Sequence, residues 1–256
     1  MADDVLKLIQ VTDAHVGEDL GRMFEGFDTL ASLQAVLAHA RRNAWPSDLV
    51  LATGDLAGDG TPAAYRRLKE LFGALEVPVY CLPGNHDQPS AMAEHLVGGR
   101  VAMPGSACHG AWQIVLLDST VEGWEAGRLD DDRLGSLDAA LGRRPDLYAL
   151  VCLHHQPVSV GTAMDRVPLV NPEAFFEVLD RHGQVRGVVW GHIHHPFDDE
   201  RRGVRLMGSP STCIQYKGEE ELHRTERPPA YRWLNLHADG RIETGIHWVE
   251  DFAAAR

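Results

Sequence analysis

Asp48-Leu49-Val50-Leu51-Ala52 is a mostly apolar run that ends in Thr53-Gly54-Asp55, a glycine and a carboxylate. An apolar run this short, closed by a turn signal, is the pattern of a strand buried on both faces. The form recurs along the chain. Val5–Val11 runs into Thr12-Asp13-Ala14-His15, and 79–82 runs into Pro83-Gly84-Asn85-His86-Asp87. Residues 112–117 end at Asp118, 149–153 lead to His154-His155, and 187–190 lead to Gly191-His192-Ile193-His194-His195.

Helical patterns separate several of these runs. Phe27, Leu30, Leu33, Leu37 and Ala40 form one stripe over 27–41. A second helix is expected after Thr61, an N-cap with Pro62 at the first helical position, and it places Tyr65, Leu68, Phe72 and Leu75 on one face. After Arg201 the pattern changes to strands at 204–207, 231–236 and 242–248, the last two joined by an Asp239-Gly240 hairpin turn. Strand alternating with helix, then strand following strand, predicts an α/β sandwich with mixed sheets. No fixed-period repeat or linker is visible, so one domain over 1–256 is expected. Two irregular stretches, 157–172 and 213–229, are candidate walls of a pocket.

Composition narrows the function. The 256 residues are 44% hydrophobic and 24% charged, ordinary for a globular chain that can bury a core without disulfides or metals. A net charge of −13 and the lack of a basic stripe disfavour nucleic acid as a partner. That charge also repels phosphate esters, so a phosphate site would need local cations to reverse the field. Cys81, Cys108, Cys152 and Cys213 form no C-x-x-C pair and are expected to be reduced and mostly buried. Acidic residues near the start and the lack of an apolar run of about 18 residues point away from a leader and a membrane span. A reducing cytoplasm is the expected compartment.

The polar residues sit where open α/β sheets bind ligands, beyond the carboxyl ends of the strands. Carboxylates suit hard divalent ions, and imidazole suits zinc, iron and manganese. Asp13/His15 and His192/His194 each have one intervening residue, which in an extended segment would turn both side chains to one side. Asp55 has two oxygens and could bridge two ions. Two ions about 3.5–4 Å apart can clamp the attacking and leaving oxygens of a phosphoryl displacement. Taken singly, each motif is an ordinary turn: Asp-x-His, Gly-Asp and Gly-Asn-His-Asp all occur in that role. Their joint occurrence, each after a strand, points to a metal site.

These motifs together resemble the calcineurin-like metallophosphoesterases. They are Asp13-Ala14-His15, Gly54-Asp55, Gly84-Asn85-His86-Asp87, His155-Gln156-Pro157 and Gly191-His192-Ile193-His194. The resemblance implies a sandwich of two mixed β-sheets flanked by helices, with two divalent metals along one edge. It implies Asp13, His15, Asp55 and His194 on one ion, and Asp55, Asn85, His155 and His192 on the other. His155 is selected by the His-x-Pro pattern, so His154 is expected to point elsewhere, into the core or behind the ligands. His86 is implied as the histidine that contacts the phosphoryl group and protonates the leaving oxygen, with Asp87 orienting its ring. Asn85 and His86 would both touch substrate.

Several further segments resemble the class III cyclic nucleotide phosphodiesterase branch. They include Leu51-Ala52-Thr53-Gly54-Asp55-Leu56-Ala57, Leu82-Pro83-Gly84-Asn85-His86-Asp87, Ser209-Pro210-Ser211-Thr212-Cys213 and Leu236-His237-Ala238-Asp239-Gly240. Gln156 departs from that branch, which often has His there. Gly54-Asp55-Leu56-Ala57-Gly58-Asp59-Gly60 lacks the Asp-Arg-Gly of the protein phosphatases. The branch implies hydrolysis of 3',5'-cyclic AMP to 5'-AMP by a hydroxide between two ions. Iron and manganese are the implied metals, with zinc or cobalt also compatible, and a homodimer is the family's expectation. The alternatives are a glycerophosphodiesterase or broad phosphoesterase, a non-catalytic metal-binding interaction module, and a nuclease, the last opposed by the net charge.

Overall fold

The apolar runs pair as two sheets. The structure is a computed structural model that describes residues 5–19, 23–24 and 26–252. Strand β1 (Val5–Val11) lies parallel to β2 (Leu49–Thr53), with Leu8 opposite Leu49 and Val11 opposite Ala52. Strands β3 (Val79–Leu82) and β4 (Val101–Ala102) extend this sheet in parallel. The second sheet takes β5 (Ser106–His109), β6 (Trp112–Leu116), β7 (Tyr148–Cys152), β8 (Val185–Trp190), β9 (Phe197–Arg201) and β10 (Val204–Gly208). Its spatial order is β9-β10-β8-β7-β6-β5. The chain then returns to the first sheet with β11 (Ala230–His237) and β12 (Ile242–Trp248), completing the order β12-β11-β1-β2-β3-β4. Both sheets are mixed, because β11 runs antiparallel to β1, and β9 antiparallel to β10.

Strand periodicity sorts the core into three layers. Leu49 and Leu51 face inward and meet Ile114, Leu116, Leu150, Cys152 and Val189 between the sheets. Val50 and Ala52 face outward onto helices α1 (Thr29–Asn43) and α2 (Pro62–Gly73). Ala149 and Val151 do the same for α3 (Asp131–Arg143) and α4 (Pro172–Leu179). The result is helix, sheet, sheet, helix, in which each buried Leu or Val contributes about 2 kcal/mol of transfer free energy.

The caps explain the helix limits. The Asp28 side chain accepts from the Ala31 amide, so α1 starts at Thr29 and leaves Phe27 in a two-residue ribbon with Phe24. Thr61 caps α2 through the Ala64 amide, with Pro62 at its first position as expected. Among the described residues, no helix is long and apolar enough to cross a membrane.

A polar tie joins the sheets beneath the strand ends. The buried Gln10 amide donates to Thr53 Oγ1 at 2.8 Å and to the Trp190 carbonyl at 3.1 Å. This fixes the ends of β1, β2 and β8 relative to one another. The residues that follow these three strands include Asp13, His15, Asp55, His192 and His194.

Candidate metal centre

Asp13 and Asp55 follow adjacent parallel strands, and their loops continue the pairing. The Asp13 amide donates to the Gly54 carbonyl at 3.0 Å, and the His15 amide to the Asp55 carbonyl at 2.9 Å. These segments are not extended, contrary to the simple alternation expected for Asp13/His15 and His192/His194. Asp13, His15, Asp55, His192 and His194 all take left-handed backbone, with φ of 54°, 46°, 50°, 67° and 51°. Such conformations cost about 1–3 kcal/mol each for non-glycine residues and persist where the surroundings over-determine them. Here Ser211 and Cys213 help do so, since the Ser211 hydroxyl donates to the Asp13 carbonyl at 2.8 Å and the Cys213 thiol lies 3.3 Å from it. The backbone amide of His192 donates to both Asp13 carboxylate oxygens, at 3.2 and 3.0 Å. Gly84 and Gly191 are needed for space. A Cβ on Gly84 would collide with the Asp55 carboxylate, and one on Gly191 with the Thr12 hydroxyl.

The histidine hydrogen bonds fix which ring nitrogen carries a lone pair inward, because a carbonyl partner can only accept. His194 donates from Nδ1 to the Ile214 carbonyl at 2.8 Å, leaving Nε2 free; it lies 3.4 Å from Asp13 Oδ1 and 3.3 Å from His15 Nε2. His192 donates from Nε2 to the Val167 carbonyl at 3.0 Å, leaving Nδ1 free. His154 donates from Nδ1 to the Thr53 carbonyl at 2.8 Å and turns Nε2 toward Asp55 Oδ2 at 3.4 Å and Asp13 Oδ1 at 3.9 Å. His15 Nε2 is 3.9 Å from the same Asp55 oxygen. Donors bound about 2.0–2.1 Å from one tetrahedral ion stand about 3.4 Å apart, so these separations suit shared ions. Among the described residues, buried His154 Nε2 and Asn85 Oδ1 have no hydrogen-bond partner, as expected of atoms that would meet a metal.

The adjacent histidines do not point as the resemblance implies. His154 does not point elsewhere; its Nε2 faces both carboxylates. His155 Nε2 instead donates to the Glu125 carbonyl at 3.1 Å, and its Nδ1 lies 2.8 Å from the Ser119 hydroxyl. The nitrogens of His154, His155 and His192 lie within 4.8 Å of one another, yet both His155 nitrogens are engaged by protein. The His-x-Pro pattern selects His155, whereas the ring that contacts the end of β2 and faces Asp55 is that of His154.

Charge follows this geometry. Burial pushes the Asp55 carboxyl upward, but His154 and His15 outweigh it and hold Asp55 well below the usual range. Asp13 behaves alike, with burial opposed by His194 and His154 and the balance lowered. Burial lowers His154, but Asp55 and Asp13 outweigh it and raise that imidazole to about 9. Burial holds His15 and His192 at about 3, which keeps them neutral and able to bind a cation.

Asp87 does not orient the His86 ring. Its buried carboxylate accepts from the amides of Leu56, Ala57 and Gly84 at 3.1, 3.0 and 3.0 Å, and from the Tyr65 hydroxyl at 3.0 Å. Burial and the nearby Asp55 nevertheless push it up to about 6. Asp87 thus pins the Asp55 loop to the Asn85 loop, while the neighbouring His86 ring lines the cleft beside His15 and Asp55. The His86 amide donates to Asp55 Oδ1 at 2.9 Å, and its ring stands edge-on to His15 at 4.9 Å.

These residues open into a cleft of about 560 Å³. Both irregular stretches wall it, through Ala163, Met164, Arg166 and Val167 on one side and Tyr216, Leu222 and Arg224 on the other. Phe24, stacked on His15 at 4.5 Å with 4° between planes, lines it too. Phe24, Arg166 and Tyr216 were not singled out from sequence. Nothing local marks an isolated aromatic or arginine in a loop until the fold brings it to the strand ends.

Residues 6–196 match the calcineurin-like phosphoesterase family. The chain is 39% identical over 251 residues to the 3',5'-cyclic adenosine monophosphate phosphodiesterase CpdA of Pseudomonas aeruginosa, covering 97% of this chain and 92% of that protein. It is 35% identical over 249 residues to the Escherichia coli K12 protein of the same name, covering 96% and 90%. A dimetal phosphatase from Danio rerio superposes with a TM-score of 0.64 at 17% identity, covering 95% of this chain and 98% of that one. That likeness is one of fold.

Proposed function

Because the chain belongs to the calcineurin-like phosphoesterase family, whose members use a dinuclear metal centre, we propose that it hydrolyses 3',5'-cyclic AMP to 5'-AMP. The observation that carries this reading is the convergence of two carboxylates, an amide oxygen without a partner among the described residues and the imidazoles of His15, His154, His192 and His194 at and beneath one cleft. Asp13, His15, Asp55 and His194 would hold one ion. Asp55, Asn85, His154 and His192 would hold the other, with His154 in the place first expected of His155. Iron or manganese suits this oxygen and nitrogen set, and zinc or cobalt also satisfies it. When bound, the ions supply Lewis acidity and a nucleophile at neutral pH.

The chain's own groups do the rest. Asp55, which faces His154 and His15 alike, would be the carboxylate shared by the two ions. Asn85 presents its amide oxygen inward, leaving its NH₂ for a phosphoryl oxygen. His86, exposed beside His15 and Asp55, would give a proton to the departing 3' oxygen. Arg166 and Arg224 line the cleft together with Glu125 and Glu221, and Phe24, Met164, Val167 and Leu222 offer an apolar wall to a nucleobase. Comparing kcat/KM for cyclic AMP, cyclic GMP, a glycerophosphodiester, a monoester and single-stranded DNA tests the substrate. Cyclic AMP is expected to lead. A marked preference for a noncyclic diester or for DNA would overturn it.

A further inference from the structure

His154, His155 and Gln156 are consecutive and buried, yet they serve three different directions. His154 faces the carboxylates. His155 donates to the Glu125 carbonyl and receives the Ser119 hydroxyl, so its ring spans the loop 119–127 from start to end. The Gln156 amide donates to the Met164 carbonyl at 2.6 Å. Glu125 and Met164 both line the cleft. The two walls are also stitched to each other, by the Gly127 amide on the Pro168 carbonyl at 3.0 Å and the Val170 amide on the Gly127 carbonyl at 2.9 Å. Gly127 lies against the His155 ring so closely that a Cβ there would overlap the imidazole. The loop therefore rests on His155 both by hydrogen bonds and by contact.

We propose that His155 and Gln156 are positioning residues that hold the Glu125 and Met164 walls against the nucleoside part of the substrate, separately from the metal centre beside them. The inference rests on the nucleotide reading of the cleft. Neither side chain touches the reacting phosphate. Their effect falls on the part of a substrate that reaches the walls, and a small diester that occupies only the floor does not sense it.

The test uses the metal-loaded protein and the variants His155→Ala, His155→Gln and Gln156→Ala. His155→Ala is expected to keep two ions per chain and nearly the wild-type kcat on cyclic AMP, while KM rises about tenfold. His155→Gln, whose amide nitrogen can replace the Nε2 donor, should recover most of that loss. Activity on methyl p-nitrophenyl phosphate should stay within about twofold of wild type in all three. Loss of an ion in His155→Ala, or an equal loss on both substrates, would overturn the proposal. Should His155→Ala not fold, Ser119→Ala removes only the hydroxyl partner and is expected to show the same KM effect in weaker form. Amide hydrogen exchange over 119–127 reads the brace without any substrate. Faster exchange in His155→Ala supports it even if cyclic AMP is the wrong nucleotide, and unchanged exchange overturns it.

Discussion

His154 Nε2 stands 3.4 Å from Asp55 Oδ2, while the far side of the ring is tied to the Thr53 carbonyl at 2.8 Å. A histidine held by a carbonyl behind and facing carboxylates in front has the arrangement of a metal ligand with its outer partner. His154→Ala is therefore expected to lose at least one ion per chain. Its kcat/KM should fall by more than about 100-fold, the upper range for losing only an outer partner. Elemental analysis beside His155→Ala separates the two residues. Full metal in His154→Ala would return the ligand role to its neighbour.

The same contact sets the pH behaviour of the metal-free protein. His154 is raised from 6.5 to about 9, chiefly by Asp55 and Asp13 against burial, so its stabilisation is complete below 6.5 and is lost as pH rises through about 9. His15 and His192 are depressed to about 3, mainly by burial. Their stabilisation is complete above 6.5 and is lost as pH falls from there toward about 3. Metal-free protein should thus show its highest Tm near 6.5 and a decline on both sides. A metal replaces the proton on His154, so loading should release a proton and remove the alkaline decline. Thermal unfolding of metal-free and loaded protein across pH checks both limbs, and His154→Gln should lack the alkaline limb.

Asp87 links two ligand loops through four donors, three amides and the Tyr65 hydroxyl. Asp87→Asn turns an NH₂ toward some of these donors and leaves at least one unsatisfied. A loss of about 2–4 kcal/mol in stability is expected. Denaturant unfolding measures it. The shape of the kcat/KM pH profile should stay as in wild type, whereas a shifted limb at unchanged stability would restore the role of orienting His86.

How much of this was readable from the chain depends on the length scale of each signal. The central strands and the cap at Thr61 are local signals, and the sequence places them closely, whereas the Asp28 cap that starts α1 at Thr29 does not show in the apolar stripe. α3 was not read because only Leu137, Ala140 and Leu141 are buried in it, a stripe too thin to stand out, and α4 has only eight residues. Asp13, His15, Asp55, Asn85, His192 and His194 follow apolar runs that end sharply, so their convergence could be anticipated. The choice between His154 and His155 could not, since it depends on which way the chain turns after Cys152. Asp87 misled for a similar reason: adjacency to His86 suggested contact, but successive residues in a tight turn point apart. Gln10, which ties the sheets beneath the site, looks from sequence like any polar residue in a strand.

His86 is the remaining group at the reaction edge. The residue is exposed, its ring stands edge-on to His15 at 4.9 Å, and its backbone amide is held on Asp55 Oδ1. His86→Ala is expected to retain both ions and the wild-type Tm. A proton donor at a leaving oxygen contributes about 10²–10⁴-fold, so kcat for cyclic AMP should fall within that range while KM changes little. A diester whose leaving group needs no proton, such as one that releases p-nitrophenolate, should lose much less. The ratio of the two losses measures the donor role directly. Equal losses on both substrates would mean that His86 acts by binding the phosphoryl group and not by protonating the oxygen that departs.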